Sequence, residues 1–132
     1  MNIINPFMSN NLPGQDLDLS FLNEVADGSD EFVVETIEMF LNQTPALLEL
    51  ISTAIGDRNW PAAATSAHKL KPNLGFFGMM VSQEMMQQVE HMAKQGSPEP
   101  AIIASKFTEV YNIVSANLVT LAQIKAEKEA GL

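Results

Sequence analysis

Beyond residue 30 the apolar residues of this chain return every three or four positions, the period of an amphipathic helix. Val33, Ile37, Phe40, Leu41, Thr44, Leu48, Ile51 and Ile55 make the first long stripe. Ser29 is placed to cap it, Asp30 and Glu31 suit the positive end of the helix dipole, and Gly56 closes it. Pro45 inside this stretch removes a backbone donor and predicts a bend. Asn59 opens a second long helix, with Pro61 in its first turn and Trp60, Ala63, Ala67, Leu70, Leu74 and Phe77 as its apolar face. A third is predicted from Ser82 to Lys94 on Met85, Val89 and Met92, stopping at Gly96. Ser97-Pro98 opens the last, which carries Ile102, Phe107, Val110, Val114, Leu118, Leu121 and Ile124. A short helix from Asp18 to Ala26, closed by Asp27-Gly28, precedes these four.

Few segments alternate as strands do, hairpin dipeptides are lacking, and no repeat is visible. The pattern predicts an all-α fold, an antiparallel four-helix bundle with a short extra N-terminal helix or arm. Residues 1–16, rich in Asn, Pro and Gly, read as a flexible arm that can dock on the body, and 17–130 as a single bundle domain. A chain of 132 residues buries a real core without staples. With no cysteine, disulfides, thiolate chemistry and Cys-ligated metals are excluded.

Charge narrows the partners. A formal net charge of −9 argues against nucleic acid, whose phosphates demand a basic surface. No apolar run is long enough to span a membrane, and the first residues lack the basic start of a signal peptide. A soluble, cytoplasmic protein is expected. No Lys or Arg precedes Arg58, while Asp16, Asp18, Glu24, Asp27, Asp30, Glu31, Glu35, Glu38, Glu49 and Asp57 all do. Arg58, Lys69 and Lys71 then form a local positive spot, and His68 sits inside it.

On a helical wheel at ~100° per residue His68 points roughly 140° from the centre of the Ala63, Leu70, Leu74 and Phe77 sector. Ala64, Lys71, Pro72 and Gly75 lie near it on the exposed side. A lone exposed histidine is usually a solvated surface residue. Here small neighbours leave the ring approachable, and a lysine one turn on can meet an anion attached to it. Gly75 lies two turns beyond and about 20° around the helix, and reads as open surface beside the ring. A metal pair of His68 with Glu90-His91 lacks ligand spacing on one face, so no metal is expected and His91 reads as a surface residue. No serine sits in a recognisable nucleophile turn.

The run Ala67-His68-Lys69-Leu70-Lys71-Pro72-Asn73-Leu74-Gly75-Phe76-Phe77-Gly78 resembles the signature of histidine-containing phosphotransfer (HPt) domains, roughly A-H-x-L-K-G-x-x-x-x-x-G. The stretch Phe32 to Leu50, with Thr44-Pro45 inside it, looks like the helix before the phosphorylated one. Gly56-Asp57-Arg58-Asn59-Trp60 looks like the connecting turn. The resemblance implies that His68 accepts a phosphoryl group on Nε2 and exchanges it with the aspartate of a receiver domain. Such receivers belong to response regulators or hybrid histidine kinases in two-component signalling. It implies that Lys71 neutralises the phosphoryl oxygens. Leu70 and Leu74 would be core. Ala64, Lys69, Pro72, Gly75, Phe76, Gly78 and Met79 would form the docking face, apolar where Phe76 and the methionines lie. No cofactor of its own is implied; the receiver would bring a divalent metal such as Mg. A monomer is expected.

This chain departs from the pattern at Pro72, where the family usually has glycine, and a local bend after Lys71 is expected there. Lys69 stands where the dimerisation domains of histidine kinases usually carry an acid, and no glycine-rich nucleotide motif is present, which argues for a phosphocarrier over a kinase. Two other readings stay open on the residues alone. One is a helical adaptor that binds partners without phosphotransfer; the other is a bundle with a cavity for a small molecule or lipid.

Overall fold

The computed structural model describes residues 15–96 and 98–132; the first fourteen residues of the expected arm lie outside that description. Five helices follow in order: α1 (Ser20–Ala26), α2 (Asp30–Gly56), α3 (Trp60–Phe76), α4 (Met80–Lys94) and α5 (Pro100–Ala130). The described residues include no strand. The four long helices close a ring in which α2 packs on α3, α3 on α4, α4 on α5 and α5 back on α2, while α1 lies against α2. This is the expected all-α four-helix bundle with a short extra N-terminal helix.

Local chemistry sets several boundaries. Ser29 accepts a hydrogen bond from Phe32 N at 3.1 Å, and Asn59 accepts one from Ala62 N at 3.3 Å. Each relieves one orphan donor of a helix N-terminus. Both helices run continuously through their internal prolines, Pro45 in α2 and Pro72 in α3. Leu22, Ile37, Ile51, Leu70, Leu74, Met86, Val89, Ile103, Val110 and Leu121 are fully buried and knit the five helices into one core. Each such side chain contributes about 1.5–3 kcal/mol relative to leaving it exposed.

Two boundaries and one face differ from expectation. α4 begins at Met80, two residues before Ser82, because its cap comes from far away: Asp16 accepts from Ser82 N at 2.7 Å and from Ser82 Oγ at 3.2 Å. Asp16 also accepts from Asn117 Nδ2 on α5 at 2.8 Å, and the Gln15 amide donates to Thr120 at 3.0 Å. The last two residues of the expected arm are thus tied to the bundle. α5 begins at Pro100 with Glu99 before it, later than Ser97-Pro98. On α4 the buried face is Ser82, Met86, Val89, Glu90 and Ala93, so Met85 and Met92 lie at its edge rather than at its centre.

Candidate functional site

His68 and Lys71 stand one turn apart on α3, on the side facing α4. Their flank of α4 carries Gln83, Gln87, Glu90 and Lys94, spaced four, three and four residues apart and therefore on one helix face. The His68 side chain is 69% exposed, as the wheel predicts, whereas Glu90 beside it is only 2% exposed. Three groups converge on that buried carboxylate. His68 Nδ1 lies 3.1 Å from Oε2, Lys94 Nζ 2.9 Å from the same oxygen, and Lys71 Nζ 2.6 Å from Oε1. Lys71 also donates to Gln87 Oε1. It is 17% exposed, against 63% for Lys94, so Lys71 is the more enclosed cation and Lys94 the solvent-exposed one.

Electrostatics fix the state of the acid. Burial raises the Glu90 carboxyl, but the ammonium groups of Lys71 and Lys94 at contact distance outweigh it and lower it from 4.5 to about 2. Glu90 is therefore an anion near neutral pH and can only accept hydrogen bonds. It follows that Nδ1 of His68 carries the proton in their shared bond. In the neutral ring the lone pair then sits on Nε2. Nε2 makes no hydrogen bond to any described residue. An exposed, oriented, unprotonated ring nitrogen is a nucleophile with open access. A shallow groove lined by Ala64, Thr65, His68, Lys69, Glu90 and Lys94 runs beside it.

The residues expected to form the docking face divide. Lys69 and Pro72 are exposed, and Phe76 is half-buried, edge-on to Phe21 of α1 at 5.2 Å. Met79 is fully buried at the turn into α4 and cannot meet a partner; Ala64 is buried as well, where α4 packs over α3. Gly78 adopts a left-handed φ of 72° under the Asp18 segment, whose N–H donates to Phe77 O at 3.1 Å. A Cβ there would collide with the Asp18 carbonyl, so this glycine serves a turn and a close approach, not a low docking surface. Gly75 is not open surface either: a Cβ on it would lie 2.5 Å from Gln83 Nε2. His91 points away from the cluster, with Nε2 3.4 Å from the Gln95 amide.

Glu90 is the residue of this cluster that apolar periodicity misses, because an acid within a helix reads as solvent-facing. Its signal lay in register: it stands four residues after Met86 and three before Ala93, inside the buried stripe. Lys94 and Gln87 follow from it at helical spacing.

The sequence profile described as "Hpt domain" matches residues 35–126. Among solved structures, the HPT domain from the Hpt sensor hybrid histidine kinase from Shewanella superposes with a TM-score of 0.55 and 21% sequence identity, covering 88% of this chain and 92% of that one. At that identity the likeness is one of fold. No curated protein matches the chain. Within the described residues no helix is long and apolar enough to cross a membrane. The matched span takes in most of the chain, including His68, Lys71 and Glu90, and the chain belongs to the Hpt domain family, the phosphotransfer carriers of two-component signalling.

Proposed function

We propose that His68 is the phosphoryl acceptor and that Glu90 and Lys71 make it one. The observation that carries this reading is the bond from Nδ1 to a buried, ionised Glu90, which leaves the lone pair at exposed Nε2. Nε2 attacks the phosphorus of a receiver's phosphoaspartate; the N–P bond forms, the acyl O–P bond breaks, and the aspartate leaves as a carboxylate. Positive charge appears on the ring as the bond forms, and Glu90 stabilises it through Nδ1–H. Lys71, already held beside the ring, meets the new phosphoryl oxygens through a charge-assisted hydrogen bond. The reverse path returns the group to a second receiver.

Receivers of response regulators or hybrid histidine kinases are the partners, and they bring the divalent metal; the carrier uses no cofactor of its own. Lys69, Pro72 and Phe76 are the accessible part of the docking face. The chain acts in the cytoplasm as a monomer, and without a nucleotide-binding motif it has no kinase activity. The test is incubation with a phosphorylated receiver domain. The expected product is a label stable to base and lost in acid, mapping to the peptide that holds His68. A label on any other peptide would overturn the assignment.

A further inference from the structure

Lys71 and Lys94 share Glu90 but are engaged to different degrees. The Lys71 ammonium divides its donors between Glu90 Oε1 and Gln87 Oε1 and is largely enclosed. Lys94 has one acceptor among the described residues, Glu90 Oε2 at 2.9 Å, and its side chain is mostly exposed. An ammonium carries three donors, so two of those on Lys94 are left for another acceptor. The same Oε2 accepts from His68 Nδ1, which sets the Lys94 ammonium and the ring side by side on one oxygen. Gln87, one turn before Glu90, meets Lys71, whereas Lys94, one turn after Glu90, joins Ala64 and Thr65 in the wall of the groove beside the ring. The two ammonium groups thus bracket His68 along the α3–α4 seam.

We propose that Lys94 is a second ligand of the phosphoryl group, swinging from Glu90 Oε2 onto a phosphoryl oxygen once His68 is loaded. The proposal rests on the phosphocarrier reading of His68. A phosphoryl group on Nε2 adds negative charge and three strong acceptors beside the groove. Lys94 has the flexible stem and the unused donors to turn toward them, and Oε2 is then left to Nδ1–H alone. The consequence is a longer-lived phosphohistidine. In its hydrolysis water attacks the phosphorus, the N–P bond breaks, the bonding pair returns to Nε2 and phosphate departs. The transition state is loose, and charge leaves the phosphoryl oxygens as that bond breaks. A cation on those oxygens therefore favours the intact phosphohistidine over the transition state.

The experiment loads the native protein, Lys94→Ala and Lys94→Arg from a phosphorylated receiver and follows two readouts. One is the half-life of the phosphohistidine. Lys94→Ala should shorten it about tenfold, the worth of one charge-assisted hydrogen bond, and Lys94→Arg should restore it. The other is the rate at which formaldehyde and cyanoborohydride methylate each lysine of the native protein, before and after loading. Phosphorylation should protect Lys94 and leave Lys106 and Lys125 of α5 unchanged, whereas a lysine that served only to pair Glu90 would react equally in both states. This second readout needs no variant, so it decides the matter even if Lys94→Ala does not fold. An unchanged half-life in Lys94→Ala, no rescue by arginine, or methylation of Lys94 indifferent to loading overturns the proposal. No phosphoryl uptake by the native protein overturns the carrier reading and the role of Lys94 together; uptake on His68 with an unchanged half-life in Lys94→Ala removes Lys94 alone.

Discussion

His68 and His91 are both exposed imidazoles flanking α4, one facing it from α3 and one at its last turn, yet their surroundings differ in kind. His68 gives Nδ1 to a buried carboxylate that two lysines keep ionised. His91 meets only the exposed amide of Gln95. Glu90 and His91 are adjacent in sequence, but successive residues of a helix point ~100° apart, so one enters the α3–α4 seam and the other leaves it. Exposure supplies access in both regions. What only the His68 region supplies is a fixed tautomer, a counter-charge for the ring and an ammonium group one turn away.

Exchanging the histidines one at a time breaks the comparison most completely. His68→Gln should abolish phosphoryl acceptance, while His91→Gln should leave it unchanged; both should keep stability within ~1 kcal/mol, since each side chain is exposed. Transfer assays with thermal melts check this, and a phosphorylated His68→Gln protein contradicts it.

The next largest effect is on stability. Glu90→Gln removes a buried anion from between its cations, and the lowering from 4.5 to about 2 corresponds to ~3 kcal/mol at neutral pH. The sign follows from the depressed value. The contribution of the ionised acid is fully present above pH 4.5 and is lost as pH falls toward 2. Denaturation midpoints of the native protein and the variant should therefore lie far apart at pH 7 and converge across that interval. Equal stability at pH 7 would mean that the carboxylate is not held as described.

Lys71→Ala is smaller again. It should still accept the phosphoryl group but lose it about tenfold faster, the size of one charge-assisted hydrogen bond. An unchanged phosphohistidine half-life would reduce Lys71 to a structural partner of Glu90.

Much of this was legible in the sequence where the cause is local. The caps at Ser29 and Asn59, the stripes of α2 and α3, and the outward direction of His68 follow from residues within a turn or two of each other. Where the cause is tertiary, local reading fails. Ser82 looks like the start of the third helix, but Asp16 caps α4 from 66 residues away, and the helix starts at Met80. Met85 looks central to the third stripe, but the face is rotated to bury Met86 and Glu90, with the acid paired to Lys71 of α3 and to Lys94 one turn on in α4. Gly75 looks like open space until Gln83 occupies it, and Met79 looks like a docking residue until the α3–α4 turn folds it inward.

The central claim is that the Nδ1 bond to Glu90 directs chemistry to Nε2 of His68. Labelling the histidine rings with 15N, loading the protein from a phosphorylated receiver and recording 31P–15N couplings tests it directly. The account predicts one new coupling, from phosphorus to Nε2 of His68, with Nδ1 still bearing its proton. A coupling to Nδ1, or to either nitrogen of His91, would contradict it.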